Sequence, residues 1–294
     1  MTVSVCVPAR SEAATIAAIV AVLVGLRDRG VVDEVVVVDG GSRDETARLA
    51  AEAGADVHQQ DALCPAAGPV LGKGDAMWRA LSVLRGDVIC FVDADTEVFG
   101  PHFVSGLVGP LLADEGIAFV KGCYRRPFKD SGIELPDGGG RVNELMARPL
   151  LNRFYPELGA VRQPLAGEMA ARRALLESLP FFAGYGVEIG LLIDAWREAG
   201  LMAIAEVDLG VRQNRHQPLR ELGPMAAAVL AAVSRRLAEA GRLAEAGADL
   251  LLMPAGGGLE EREPALVERP AMKTAARGAG PLPEQGSPAP PGGP

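Results

Sequence analysis

The sequence is poor in aromatic residues and cysteine, and it has no long apolar run. Aromatic residues make up 4% of the 294 residues, whereas hydrophobic residues make up 49%. A buried core must therefore consist mainly of alanine, valine and leucine. The four cysteines form no C-x-x-C pair and show no metal-site spacing, so we expect reduced thiols. The pattern disfavours a disulfide scaffold and shows no cysteine metal centre.

Membrane-spanning and export signals are also missing. The apolar stretches at 16–26 and 225–233 are too short or too rich in alanine to span a bilayer. The first residues read as a strand, without a basic leader or a cleavage site. We therefore expect a soluble, cytoplasmic α/β protein that has no membrane partner.

The chain lacks an excess of positive charge: its formal net charge is −9. This acidic balance disfavours a nucleic-acid partner. Between Lys121 and Arg153, however, seven basic residues stand against four acidic ones. Such a basic island suits a small anionic ligand; the alternative is a solvated surface loop.

Strand-like and helix-like segments alternate through the first half. Valine-rich apolar segments predict strands at 3–7, 34–39, 55–59, 87–92 and 117–124. Helical periodicity predicts helices between them, at 13–29, 44–54, 74–84 and 101–112. This order predicts an α/β fold with a doubly wound, mostly parallel sheet and helices on both faces. The carboxyl ends of its strands should open onto one ligand-binding crevice.

The second half is less regular. Its patterns predict helices at 142–154, 172–178 and 188–198, a strand at 202–207, and a long helical pattern over 224–253 that is interrupted near Gly241. The apolar stripe of this last pattern needs a partner, either the protein body or a second subunit. Residues 254–294 hold nine prolines and eight glycines, which predicts a disordered tail.

Polar residues follow the predicted strands. Asp93 and Asp95 end an apolar strand, and two such carboxylates can share one Mg²⁺, which also accepts phosphate oxygens. Acidic pairs at strand ends are common, so this pair alone is a weak signal. Asp39 precedes a tight Gly40-Gly41 turn, where it either contacts a ligand or caps the turn. Lys73, between two glycines at a helix start, can approach a phosphate. No G-x-G-x-x-G or Walker motif is present.

These segments together resemble a known family. VCVPARSE (5–12), VVVDGGS (36–42), GKGDAMW (72–78) and FVDAD (91–95) follow the order of a GT-A nucleotide-sugar glycosyltransferase. GGGRVNELMARPL (138–150), QPLAGE (163–168) and GYGVEIG (184–190) are more specific. They resemble the glucosyl-3-phosphoglycerate synthases and their mannosyl relatives. The resemblance covers residues 3–222.

The resemblance implies a role for individual residues. Asp95 is the expected main metal ligand, the backbone carbonyl of Leu165 is expected near the reacting centre, and Glu188 is expected to hold sugar hydroxyls. Phosphoglycerate is expected at the basic island. The implied donor-binding residues are Pro8, Ala9, Arg10, Glu12, Asp39, Gly40, Lys73, Asp93 and Ala94. The implied acceptor-binding residues are Gly140, Arg141 and Asn143.

Two positions depart from the family pattern. Asn143 stands where the glucosyl enzymes carry threonine. Asn214 occupies the slot of their metal-binding histidine, and His216 follows two residues later. Either His216 is the residue that reaches the metal, or Asn214 or a water molecule takes the place of the histidine ligand. In the alternative interpretation, His216 is a surface residue of a loop that Arg212 and Arg215 keep soluble. These departures favour a mannosyl-transferring or dual-specificity member.

The implied reaction transfers a hexose, with retention, from a nucleoside diphosphate sugar such as UDP-glucose or GDP-mannose to the 2-hydroxyl of 3-phosphoglycerate. Mg²⁺ is the expected cofactor, with Mn²⁺ or Co²⁺ as substitutes, and a homodimer is expected. The alternatives are a GT-A enzyme with a lipid or polysaccharide acceptor and a non-catalytic nucleotide-sugar-binding regulator. The predicted division is a nucleotide-sugar-binding Rossmann-like half (1–124), an acceptor-binding and catalytic half (125–222), a helical extension that is a candidate dimer contact (223–253) and the tail (254–294).

Overall fold

The computed structural model describes residues 1–130, 133–135, 138–213, 217–244, 251–255, 258–262 and 266–275. In chain order its strands are β1 Val3–Ala9, β2 Glu34–Asp39, β3 Asp56–Gln59, β4 Val88–Phe91, β5 Phe119–Arg125, β6 Phe128–Asp130, β7 Ile133–Leu135, β8 Met169–Arg172, β9 Phe181–Phe182, β10 Ile204–Val211, β11 Leu251–Ala255, β12 Gly258–Arg262 and β13 Glu268–Arg269. Its helices are α1 Ile16–Asp28, α2 Thr46–Glu52, α3 Lys73–Ala80, α4 His102–Ala113, α5 Arg148–Phe154, α6 Arg173–Ser178, α7 Val187–Ala199, α8 Leu222–Glu239 and α9 Met272–Ala275.

One seven-stranded sheet organises the described residues, in the order β10-β5-β8-β4-β1-β2-β3. All neighbouring strands are parallel except at β8, which is antiparallel to both β4 and β5. The predicted mostly parallel sheet is confirmed. The reversed strand β8 was not predicted, since its four residues lie inside a segment without a clear period.

Side chains alternate across the sheet and build a core on each face. In β2, Val36 and Val38 belong to one apolar cluster, and Val35 and Val37 belong to the other. Helices α1 and α4 cover one face, and α3, α5, α7 and α8 cover the other. Strands buried on both faces read as continuous apolar runs, which is why the valine-rich segments were recognised.

Helix α8 resolves one open question. It ends at Glu239 rather than continuing to 253, and a strand occupies Leu251–Ala255. Its residues Ala228, Val229, Ala232 and Val233 are buried against the α7 side of the core. The apolar stripe of α8 is therefore covered by the protein body, so the predicted dimer contact loses the observation that suggested it.

The prediction of a disordered tail over 254–294 is wrong where β11 and β12 pair, at 254–255 and 258–262, and over residues 266–275. There β13 pairs antiparallel with β9, Leu266 joins the core, and α9 follows. Glycine and proline dominate the composition of the segment as a whole, which hid this short apolar and basic stretch. Residues 276–294 lie outside the described part of the chain.

Candidate active site

The carboxyl ends of the parallel strands meet at one edge of the sheet, as expected. β2 ends at Asp39, Asp93 and Asp95 follow β4, and Arg212 follows β10. Because β8 runs in the opposite direction, its start lies at the same edge and brings Glu168 there. Five charged side chains from four distant segments thus surround one crevice.

Lys73 is the first residue of α3 and links two of these segments. Its Nζ lies 2.5 Å from Oδ1 of Asp93 and 2.8 Å from Oε1 of Glu188, at the start of α7. Burial lowers the pKa of Lys73, but the negative charges of Asp93 and Glu188 raise it by more. The net pKa of Lys73 therefore lies above its ordinary value. Lys73 is therefore a fixed positive charge at neutral pH.

Arg212 occupies the centre of the acidic cluster and is almost fully buried. Its Nη2 donates to Asp93 at 2.8 Å and to Asp95 at 2.5 Å, and its Nε lies 3.1 Å from Oε1 of Glu168. Its Nη1 donates to the hydroxyl of Tyr124 at 3.0 Å, and that hydroxyl donates to Oε2 of Glu168 at 2.7 Å. The planar guanidinium thereby fixes the relative positions of three carboxylates.

These charges shift each other's pKa. Burial raises the pKa of Asp93, but Lys73 and Arg212 lower it more, so the net pKa lies well below its usual range. Burial raises the pKa of Glu168, although Arg212 opposes this. Asp93 is therefore an anion at physiological pH, and the Lys73–Asp93–Arg212 contacts form a persistent ion network rather than an acid–base pair poised near neutrality.

Asp39 carries an unsatisfied acceptor. Its Oδ2 accepts from the backbone N–H of Ser42 at 3.1 Å. Its Oδ1 is buried and has no hydrogen-bond partner among the described residues. A buried carboxylate oxygen without a donor is costly, and a hydroxyl or amine of a ligand would satisfy it.

The other predicted donor residues lie at and after the ends of β1, β2 and β4. Gly40 donates its N–H to the carbonyl of Ala9 at 2.8 Å. Ala94 accepts from the hydroxyl of Thr15 at 2.6 Å, which ties the start of α1 to the end of β4. The structure places Pro8, Arg10 and Glu12 at and directly after the end of β1, beside this turn. The predicted donor residues thus lie along one edge, in line with the prediction from strand ends.

The predicted acceptor residues lie on the other side of the crevice. Gly140 has φ +70°, a conformation that favours glycine, and begins the turn before the π-helix Asn143–Ala147. Asn143 Oδ1 accepts from the backbone N–H of Leu165 at 3.3 Å, so acceptor and reaction-centre candidates are in contact. Arg141 donates to the carbonyl of Gln217 at 2.6 Å and lies over the ring of Phe128 at 5.2 Å.

A basic cavity of about 410 Å³ adjoins these residues. It is lined by Cys123, Tyr124, Arg125, Arg126, Gly139, Glu144, Arg148, Arg162, Gln163 and Asp208. Three of the seven basic residues of the predicted island, Arg125, Arg126 and Arg148, thus line a concave surface. Lys121 is not on the surface at all: it is fully buried, and its Nζ donates to the carbonyl of Ala166 at 2.5 Å. Assigning Lys121 to the anion-binding island was wrong.

Sequence reasoning missed Arg212 and Glu168 as members of the site. Glu168 is the last residue of the QPLAGE motif, and Arg212 directly follows a strand. Neither position reveals from sequence alone that its charged side chain is buried. The available signal was topological, because Arg212 follows the last strand at the same sheet edge as Asp93. Antiparallel β8, the element that brings Glu168 there, gave no such signal.

The donor set at this edge fits a hard divalent cation. Asp95 is only partly buried and presents carboxylate oxygens beside Asp93. Mg²⁺ needs only one or two carboxylates when phosphates and waters complete its shell. The described residues contain no group of three or more His, Cys, Asp or Glu that would hold a metal by themselves. Asn214 and His216 lie outside the described residues.

The fold and this edge define the class: a GT-A glycosyltransferase. The family model for glycosyl transferase family 2 matches residues 4–170. The glucosyl-3-phosphoglycerate synthase of Mycolicibacterium smegmatis is 50% identical over 235 residues, which is 80% of this chain and 77% of that protein. The chain belongs to glycosyl transferase family 2, among the glucosyl- and mannosyl-3-phosphoglycerate synthases.

Solved structures give the same result. Mannosyl-3-phosphoglycerate synthase from Rubrobacter xylanophilus has a TM-score of 0.85 and 45% identity, covering 93% of this chain and 90% of that one. Glucosyl-3-phosphoglycerate synthase from Mycobacterium tuberculosis, in complex with Mn²⁺, UDP-glucose and phosphoglyceric acid, has a TM-score of 0.82 and 46% identity over 93% and 91% of the chains. No helix in the described ranges is long and apolar enough to cross a membrane.

Proposed function

We propose that this glycosyltransferase moves glucose or mannose from a nucleoside diphosphate sugar to the 2-hydroxyl of 3-phosphoglycerate, with retention of configuration. The observation that carries the proposal is the juxtaposition of Lys73, Asp93, Asp95 and Arg212 with the Asn143–Leu165 contact across one crevice. Relatives named for both sugars match the chain at similar identity. The product is a precursor of glucosylglycerate or mannosylglycerate, which are compatible solutes.

The donor occupies the strand-end side of the crevice. Asp39 accepts a hydroxyl or amine of the nucleoside through its unsatisfied Oδ1, while Pro8, Ala9, Arg10, Glu12 and Gly40 form the surrounding turn. Asp93 lies nearer the ribose. Asp95 would hold Mg²⁺, or Mn²⁺ or Co²⁺ in its place. When bound, the cation neutralises charge on the leaving diphosphate.

Catalysis rests on positioning and charge. Lys73 and Arg212 are held as permanent cations by their carboxylate partners, and they face the region where the diphosphate gains charge. Glu188 is engaged by Lys73 and is suited to hold sugar hydroxyls. We favour a front-face substitution in which the leaving phosphate helps to accept the proton of the acceptor hydroxyl.

The acceptor occupies the basic side. Arg141, with Gly140 and Asn143, binds the phosphate and carboxylate of 3-phosphoglycerate next to the arginine-lined cavity. Asn143 also accepts from the backbone N–H of Leu165, the residue whose carbonyl we expect near the reacting centre. Acceptor binding and the reaction-centre loop are thereby coupled through a single side chain.

A donor panel tests this proposal. Purified enzyme is incubated with 3-phosphoglycerate, Mg²⁺ and each of UDP-glucose, GDP-glucose, UDP-mannose and GDP-mannose, and nucleotide release is measured. We expect release that depends on both the acceptor and the metal, and its near-complete loss in Asp95→Asn. Nucleotide release that needs no acceptor, or none with any donor, would overturn the proposal.

Three further points stay predictions: the cytoplasmic location, the homodimer, and His216 or Asn214 as a metal ligand. The alternative with a lipid or polysaccharide acceptor loses support because α8, its candidate membrane-facing element, packs on the protein body. The non-catalytic alternative conflicts with the complete charged set at the crevice. The panel separates these alternatives, since neither predicts release that requires 3-phosphoglycerate.

A further inference from the structure

Residues 266–270, here called the strap, lie across two segments that lead into the candidate donor site. Glu268 and Arg269 pair antiparallel with Phe182 and Phe181. The backbone N–H of Ala183 donates to the carbonyl of Val267 at 2.7 Å. Trp78 of α3 donates its indole N–H to the carbonyl of Pro270 at 2.7 Å. The strap therefore joins α3 to β9, and these elements carry or precede Lys73 and Glu188.

A buried carboxylate anchors the strap. Asp75, in the first turn of α3, is fully buried. Its Oδ1 accepts from Nε of Arg269 at 2.6 Å, and its Oδ2 accepts from Nε of Arg79 at 2.9 Å. Both guanidiniums are themselves buried. One carboxylate thus fixes two arginines that come from distant parts of the chain.

The two arginines bind the carbonyls of the loop before α3. Arg269 donates to Ala67 at 2.5 Å and to Pro69 at 2.9 Å. Arg79 donates to the carbonyl of Gly68 at 2.7 Å, and also to those of Leu63, Cys64 and Pro69. The loop contains no strand, and a single 3-10 turn at Pro65–Ala67 supplies its own backbone hydrogen bonds only at Cys64 and Pro65, so the carbonyls of Gly68 and Pro69 are bound by these side chains. It ends at Gly72, directly before Lys73.

The contact between α3 and β9 is tight. A Cβ atom on Gly74 would lie 1.9 Å from the carbonyl oxygen of Phe182. The backbone N–H of Asp75 donates to the carbonyl of Ala183 at 3.1 Å. A displacement of β9 is therefore transmitted to the start of α3, and the strap is the strand that pairs with β9 in the described part of the chain.

We propose that the strap is a positioning element of the donor site. Through Arg269 it fixes the loop that ends at Lys73, and through pairing with β9 it fixes the segment that leads into Glu188. Arg269 touches neither the donor nor the acceptor, so it is a positioning residue. This inference rests on the proposed function for the identity of the ligand, but its structural part is independent of turnover.

Arg269→Met in the full chain tests the proposal. Asp75 stays paired with Arg79, so no buried carboxylate is left alone. Arg172→Met is the matched control: Arg172 also binds three backbone carbonyls, those of Leu111, Asp114 and Ile117, at the opposite end of the sheet. The dissociation constants of UDP and GDP are measured by titration calorimetry with Mg²⁺, at a temperature at which every variant is folded.

We expect Arg269→Met to raise the nucleotide dissociation constant and the donor KM about tenfold, because the fraction of molecules with a competent loop falls by about that factor. The acceptor KM should stay unchanged, as should both donor parameters in Arg172→Met. Unchanged nucleotide affinity in Arg269→Met, or an equal loss in Arg172→Met, overturns the positioning role. If Arg269→Met does not fold, Arg269→Lys decides, because it keeps the charge beside Asp75 but loses the fork that reaches two carbonyls.

Hydrogen exchange separates this proposal from the proposed function. Amide exchange over residues 63–74 and 183–188 is measured without ligand in the wild type and in both methionine variants. Faster exchange in Arg269→Met alone supports the strap even if no donor releases nucleotide. Equal exchange in all three proteins overturns the strap, whatever the donor panel shows.

Discussion

Gly167 lies against Asp93 so closely that a Cβ atom at position 167 would be 2.3 Å from Oδ1 of Asp93 and 2.5 Å from Nζ of Lys73. The loop before β8 therefore touches the Lys73–Asp93 ion pair with bare backbone. Through this contact the donor side of the crevice lies next to the segment that carries Leu165, two residues earlier. The Lys73–Asp93 ion pair can form in this geometry only because residue 167 has no side chain.

Gly167→Ala should displace Asp93 or Lys73, because separations below 3 Å do not occur for real Cβ atoms. We expect kcat/KM for the donor to fall more than tenfold, which corresponds to more than about 1.4 kcal/mol of transition-state stabilisation. Gly109→Ala in α4 is the control, since its Cβ meets nothing within 4 Å. Steady-state kinetics of both variants provide the test, and full activity of Gly167→Ala would contradict this geometry.

Arg212→Lys should impair activity although it keeps the charge. Arg212 reaches Asp93, Asp95, Tyr124, Thr96 and Glu168 from three separate nitrogens, whereas lysine has three N–H groups on one nitrogen and cannot keep all five contacts. Because each charge-assisted hydrogen bond contributes about 1.5–3 kcal/mol, we expect kcat/KM to fall about tenfold to hundredfold. Arg48→Lys, at an exposed helical ion pair, should leave kinetics unchanged. Equal kinetics for the two variants would argue against the role of Arg212.

Arg141→Ala should weaken binding of the acceptor 3-phosphoglycerate and leave binding of the sugar donor nearly unchanged. Loss of a guanidinium that pairs with a phosphate is expected to raise the KM for 3-phosphoglycerate by about tenfold to hundredfold. The donor KM should change little. Arg153→Ala removes an exposed arginine of the same basic island and serves as the control. If acceptor kinetics are the same in both variants, the phosphoglycerate site lies elsewhere.

Comparison with Lys121→Met should show that burial of the Lys121 ammonium lowers the free energy of unfolding by an amount that depends on pH. Burial lowers the pKa of Lys121 from 10.5 to about 8. Below pH 8 the amine is charged in both the folded and unfolded states. Between pH 8 and 10.5 the folded state has released the proton and the unfolded state has not, so the free energy of unfolding rises with pH.

The wild type should therefore gain up to about 3 kcal/mol of stability relative to Lys121→Met between pH 7 and pH 10.5, at about 1.36 kcal/mol per pKa unit. Urea unfolding of both proteins at several pH values measures this difference. A difference that does not change with pH would show that Lys121 titrates normally in the folded protein.

Strand positions were predictable because strands buried on both faces are continuous apolar runs, and Glu34–Asp39 was predicted to the residue. The gathering of Asp39, Lys73 and Asp93 at one edge followed from parallel topology. Arg212 and Lys121 were misjudged because burial of a charged side chain depends on partners that are remote in sequence. Residues 266–270 were missed for the same reason: Arg269 has a structural role only beside Asp75, almost two hundred residues earlier.

The reversed strand β8 also bears on how the protein is made. Phe91 of β4 and Phe119 of β5 are joined only through β8, which pairs with both. On a growing chain, β4 therefore presents an open edge, and β5 has no neighbour, until residues 169–172 have left the ribosome. Open strand edges invite pairing with other chains. A chain released early, at residue 124, would carry most of the donor residues and still be an aggregation-prone fragment rather than half an enzyme.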